Sequence, residues 1–472
     1  MKRWINGSIA IMLTIPLLAG CFGSGGAKPS VKQLVKPLAE DEQASLKMYG
    51  WMNERNFIYN VGSSYLVEFP NIELTFTENA SGQAEPDTDP FETLFKDIEK
   101  QKPDIFMLGA RELSLYAERG LLYDLDPLIK QDKFDIENIH AGTVEEIRSK
   151  GGGKLFGLAP MFNSSALFYN KDLFDKFQVP YPKDQMTWDE LFELAKKFPV
   201  SGGNNERVYG FDAGNTTYFV DQLAAIHGIA VVDQHGKKMT VDSDAYRSLW
   251  TKTIEAKNAG YISSSLKSES FEFTTPTRRS FVGLFEAGKA AMSIQNNATI
   301  QNLSIMKDSN LKPFQWGMVT VPVDPRSPNE SPYYTSVRIL AINAKSPNVR
   351  AAWQLLKYWN SERYSEYYAK TKTRISIPSA LLSRTAYNKA PEGVSLEPFY
   401  KLMPSKGDPG LGILKAPSGF YNAYDKIRSE ETKAIIDGTK SVEDALRSFQ
   451  ERGQKELDRV RAESDAKKSE AE

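Results

Sequence analysis

The chain carries one cysteine, Cys21, so it can form no internal disulfide. Histidine is nearly as scarce. His140, His227 and His235 show no i, i+4 spacing and have no second thiol to join them, which argues against a zinc site. No GxSxG nucleophile elbow occurs. No GxxxxGKS/T phosphate loop occurs either. Gly151-Gly152-Gly153-Lys154 has the wrong spacing for one and reads as a hairpin-like turn before a strand at Phe156-Gly157. An excess of either charge is also missing: 59 Lys and Arg against 60 Asp and Glu leave a formal net charge of −1. A nucleic-acid binder normally shows a basic excess, so that class is set aside.

What is present fits a globular protein: 41% apolar and 25% charged residues. A length of 472 residues exceeds one ordinary core and predicts two domains. Ser45 to Tyr49 alternates as a strand, and a mixed segment that suits a helix follows up to Pro70. Ile72 to Phe76 alternates strictly, again a strand. A Pro/Asp/Gly-rich loop spans Ser81 to Pro90, and Phe91, Leu94, Phe95 and Ile98 have helical spacing. Asp104 to Gly109 is a short apolar run suited to a buried parallel strand. Strands alternating with helices predict an α/β fold with a doubly wound sheet. Ligands of such sheets sit off the carboxyl ends of the strands. Those ends carry Trp51, Glu78 with Asn79, and Arg111. Each has a plain alternative: a core Trp, a solvated loop, a surface ion pair.

The stretch from Gly157 to Leu191, GLAPMFNSSALFYNKDLFDKFQVPYPKDQMTWDEL, organises the rest. Ala166 to Tyr169 reads as a buried strand, and a short helix with Leu173, Phe174 and Phe177 follows. Thr187 and Glu190 form a capping box. Leu191, Leu194, Ala195 and Phe198 then give a helical stripe. This order resembles the extracellular solute-binding proteins of carbohydrate ABC importers. Pro103 to Ile129, FEAGKAAMSIQ (Phe285 to Gln295, a helix feeding a strand), Ser336 to Trp359 and SVEDAL (Ser441 to Leu446) are also similar to that family, in its order. In the third, Ser346 and Pro347 suit a helix N-cap and first turn.

The N-terminus adds Lys2 and Arg3 before an apolar segment, Ile9 to Leu18, too short to span a bilayer. It ends in Leu-Ala-Gly-Cys21, which resembles the lipobox of bacterial lipoproteins. That implies residues 1–20 as a signal peptide and a diacylglyceryl thioether on Cys21. Residues 21–43 read as a flexible tether spanning roughly 25 Å. The family resemblance implies two lobes of periplasmic-binding-protein type with the ligand cleft between them. Lobe one would comprise 44–162 plus 338–385 and lobe two 164–335 plus 390–457. The chain would cross near Phe162-Asn163 and Ser336-Val337-Arg338. Residues 458–472 read as a charged tail, a solvated helix end or disordered.

The resemblance also implies ligand contacts at Asn163, Tyr218, Asn296, Asn297, Tyr334, Arg338 and Tyr421, beside the strand-end residues Trp51, Glu78 and Arg111. The family often places an aromatic near Asn296-Asn297, and this chain departs from that. Aromatic residues total 11%, and flat rings suit the apolar face of a sugar. The implied function is a lipid-anchored receptor on the extracellular face of a single-membrane bacterium. It would act as a monomer, without metal, cofactor or catalysis, and deliver a sugar, with an oligosaccharide expected, to the transmembrane subunits of an ABC permease. A secreted glycosidase or lyase is the alternative, since Asp and Glu are plentiful enough to supply a carboxylate pair.

Overall fold

The computed structural model describes residues 36, 39, 42–51, 54–58, 63–79, 90–200, 207–265, 269–371, 379–417 and 419–471. The expected leader, Cys21, most of the tether and the loop up to residue 89 lie outside them. The described residues form one unit, Val35–Glu472.

Two five-stranded sheets carry the fold. Across the first, the order is Ile72–Glu78, Ala44–Gly50, Ile105–Leu108, Ile339–Ile342, Gly157–Leu158. The first three run parallel, and Ile339–Ile342 is antiparallel to both its neighbours. Ile105–Leu108 is buried along its whole length, as expected of a strand covered on both faces. One cover is the helix Val349–Trp359, which buries Ala352, Trp353, Leu356 and Trp359. This helix starts two residues later than Ser346 and Pro347 predict. The Ser346 hydroxyl is spent otherwise: it donates to Asp104 at 2.5 Å and accepts the Asn348 N–H at 3.0 Å.

Across the second sheet the order is Trp316–Thr320, Ser165–Asn170, Ala290–Asn296, Tyr209–Asn215, Ile262–Ser265. Its core gathers Phe174, Leu191 and Trp250 with Phe420, Phe449 and Leu457 from the two C-terminal helices, Phe420–Ile436 and Val442–Ala471. The second of these runs on through the charged stretch, so 458–471 is helix. Thr187 and Glu190 do cap the helix Trp188–Ala195, with N–H bonds of 2.6 and 3.2 Å in the two directions.

Two local expectations fail. Phe285 to Gly288 is a turn, not a helix, because only seven residues, 283–289, separate the strand Arg278–Val282 from the strand that starts at Ala290. The glycines at 151–153 close the helix Ala141–Lys150 rather than a hairpin: Gly151 N–H returns to the Ile147 carbonyl at 2.9 Å.

A three-stranded sheet joins the two halves. Met161–Asn163 pairs antiparallel with Thr335–Val337 on one side and Leu381–Leu382 on the other. Phe162 faces Ser336, so the two stretches where the chain passes between sheets are hydrogen-bonded to each other.

Candidate functional site

The parallel strands of the first sheet deliver their carboxyl ends side by side. Gly50 pairs with Glu78, and the Asn79 N–H donates to the Gly50 carbonyl at 2.7 Å. A side chain at 50 would meet Met107 Cβ at 2.8 Å, so glycine lets the strands approach. Trp51 follows directly and is 51% exposed, and Glu78 is exposed beside it. The structure brings these two together.

The third strand ends at Leu108 and feeds the helix Ala110–Glu118. The Glu112 carboxylate caps it by accepting the Gly109 N–H at 2.7 Å. This helix walls a cavity of 670 Å³ whose other sides come from Ala141–Lys150, residues 332–335, the loop 405–409, Ala225 and Leu414. Arg111 and Tyr334 are the two sequence candidates that line it. Arg111 lies over Gly410, where an added Cβ would meet its guanidinium at 2.7 Å. Its Nε is 3.5 Å from Asp408, and Lys150 Nζ reaches the same carboxylate at 3.0 Å. Glu146 accepts the Ser336 N–H at 2.5 Å and so ties this wall to the second crossing. Burial pushes the carboxyls of Glu112 and Glu146 up, against the pull of the N–H groups they hold.

Lys150, Glu146 and Asp408 were not legible as site residues. They reach the cavity from positions distant in sequence, and only the composition Ser-Lys-Gly-Asp-Pro-Gly at 405–410 marks a loop.

Tyr334 lines the cavity from within the core. It is 3% exposed, with its ring stacked on Phe162 and beside His140. Its hydroxyl bonds Thr143 Oγ1 at 2.7 Å and His140 Nδ1 at 3.0 Å, and burial pushes its pKa well up. Its hydroxyl is thus engaged by Thr143 and His140. Asn163, opposite Thr335, is exposed at the first crossing. Arg338 has φ 57°, and its guanidinium turns toward Met161 Sδ at 3.5 Å, away from the cavity lining.

The second sheet's candidates form a separate group. Asn215 caps the helix Thr216–Ile226 through the Tyr218 N–H, at 3.1 Å, and leaves the Tyr218 ring 64% exposed. Arg428 lies 6.0 Å from that ring and 5.7 Å from Tyr424, whose ring neighbours Tyr421, itself 59% exposed. Asp221 and Asp425 hold Arg428 at 2.6 and 2.7 Å. Tyr218 and Tyr421 thus share one patch braced by a single arginine. Asn296 is exposed, its Oδ1 accepting the Ala298 N–H at 2.9 Å. Asn297, at 3% exposure, precedes the helix Ala298–Ser304 and is buried.

Comparison with known proteins agrees with this architecture. A family model described as bacterial extracellular solute-binding protein matches residues 29–366. A curated binding protein of Brucella abortus is 25% identical over 276 residues, 54% of this chain; the match spans only 57% of that relative. A maltotriose-binding protein of Pyrococcus abyssi is 24% identical over 433 residues, 87% of this chain and 84% of its own. Among solved structures, a sugar transporter from Rhizobium etli in an open conformation superposes with a TM-score of 0.59 at 19% identity. It covers 87% of this chain and 99% of its own. At that identity the likeness concerns the two-lobe fold.

Proposed function

Because the chain belongs to the bacterial extracellular solute-binding proteins, we propose that it captures a sugar, foremost an oligosaccharide, between two lobes and hands it to an ABC permease. The observation that carries this is the 670 Å³ cavity at the carboxyl ends of the first sheet, walled from both sides by groups that converge on it. The lobes would be 44–162 plus 338–385 and 164–335 plus 390–457. Membership of the two sheets supports that division, since Ile339–Ile342 returns to the first. The maltotriose and sugar named for two relatives support a saccharide.

Capture without catalysis is part of the reading. The two carboxyl groups with raised pKa at the cavity, Glu112 and Glu146, each already hold a backbone N–H. That speaks for structural work rather than for an acid–base pair. Among the described residues no helix is long and apolar enough to cross a membrane. Anchoring through a lipid on Cys21 would place the receptor, as a monomer, on the outer face of the cell membrane.

The test is a thermal-shift screen against neutral and charged saccharides, followed by calorimetry. A true ligand at ~100 times its Kd adds about 2.7 kcal/mol. Trp51→Ala and Tyr218→Ala should then each weaken binding by about 1–3 kcal/mol, by analogy with ring stacking elsewhere. No shift with any saccharide would remove the reading. Turnover of a saccharide abolished by Glu112→Gln or Glu146→Gln would move the protein to the hydrolases. Mass spectrometry of the mature protein from membranes tests the lipid; an unmodified N-terminus beyond residue 21 would exclude it.

A further inference from the structure

Beside the 670 Å³ cavity lies a second, of 440 Å³, and the two share Leu115 and Leu414. They are two reaches of one cleft, and their charges differ. The inner reach sets Arg111 and Lys150 against Glu112, Glu146 and Asp408, an acidic balance. The outer reach sets Arg119, Lys237, Lys415 and Arg461 against Glu118 and Asp465, a basic one.

The outer cations are not equivalent. Lys415 is 3.1 Å from Glu118, and that pair neutralises itself. Arg461 donates to the Gly236 carbonyl at 3.2 Å and lies 3.8 Å from Asp458. Arg119 and Lys237 have no carboxylate at ion-pair distance among the described residues; Asp233 beside Lys237 is taken up by backbone N–H groups, and Asp465 lines the same reach. Arg119 follows the helix Ala110–Glu118, and its guanidinium lies 3.8 Å from the centre of the Phe95 ring. A cation held over an aromatic face is oriented without being neutralised. Lys237 stands on the other wall, in the turn whose backbone N–H groups are held by Asp233. An uncommitted cation on each wall of a cleft attracts an anion that touches both.

We propose that the outer reach is a subsite for an anionic group on the bound saccharide, held between Arg119 and Lys237. The shared chemistry is that of a uronate carboxylate or a sulfate ester, either of which matches the guanidinium fork. The proposal rests on the capture reading above and adds the class of substrate. An anion bridging both walls is fully contacted only when they are close, so it favours the closed form.

The test uses trisaccharides of gluco, galacto and manno configuration, each in neutral, uronate and 6-sulfated form, titrated into the full extracellular chain by calorimetry. At about 50 mM NaCl, an anionic member should bind at least about tenfold tighter than its neutral counterpart, an advantage that shrinks at about 500 mM as screening shortens. Which anionic form gains identifies the group. The double variant Arg119→Gln, Lys237→Gln should lose that advantage while binding the neutral member as the wild type does. Binding of neutral members alone, or an advantage that survives in the double variant, overturns the anionic subsite and leaves sugar capture standing. Binding of no member removes both.

Discussion

Tyr334 lies flat on Phe162, with ring centroids 4.6 Å apart and planes 12° from parallel. Each ring belongs to a different passage of the chain between the sheets, so the contact clamps the two passages together. His140 extends the stack from the first-sheet side and reaches the Tyr400 carbonyl with Nε2 at 3.0 Å.

Tyr334→Phe keeps the stack and deletes the hydroxyl. Thr143 Oγ1 and His140 Nδ1 then lose their shared partner inside the protein. Stability should fall by about 1–3 kcal/mol, read from urea unfolding. An unchanged midpoint would mean that the hydroxyl is idle.

Arg338 occupies the left-handed region at φ 57°. Arg338→Gly and Arg338→Val both remove the contact with Met161, but only valine brings a branched Cβ into that conformation. The valine variant should be less stable than the glycine variant by about 1–2 kcal/mol. Equal melting temperatures would show that the backbone relaxes there.

Asp212 is predicted to make the second sheet sensitive to acid in an unusual sense. Burial first, then the nearby Glu286 and Glu269, push its carboxyl up to about 6. A raised carboxyl pKa penalises the folded state once the group ionises. Stability is therefore greatest below the unfolded value and falls as pH rises through about 6. Asp212→Asn keeps an acceptor for the Gly214 N–H. It should gain on the order of 2–3 kcal/mol at pH 7 and little at pH 4. A variant no more stable than wild type at pH 7 would contradict this.

Asp408→Asn removes the charge shared by Arg111 and Lys150. Without it the lobes should rest further apart, with a larger radius of gyration in small-angle scattering. Wild type should approach the variant at about 1 M salt, where the screening length is about 3 Å. Identical radii at low salt would show that the pair does not hold the cleft.

The sequence's legibility follows the range of the interactions. Strict alternation at Ile72 to Phe76 and the Thr187–Glu190 box are local signals, and both elements form as read. The turn at Phe285 and the late start at Val349 depend on neighbours far away, Ser346 being drawn off by Asp104. At the site the same rule holds. Trp51, Glu78 and Arg111 follow from strand ends alone. Lys150 and Asp408 meet only through the completed fold, and Tyr334 and Asn297 carry polar side chains that packing turned inward.

Ile339–Ile342 lies between Ile105–Leu108 and Gly157–Leu158 in the first sheet, yet it follows every strand of the second in the chain. The first sheet therefore has a gap in its middle until that strand arrives, and its two nearest strands have no neighbour to pair with across it. Long-range closure of this kind is slow. The N-terminal strands therefore complete their sheet only once residues 339–342 have been made.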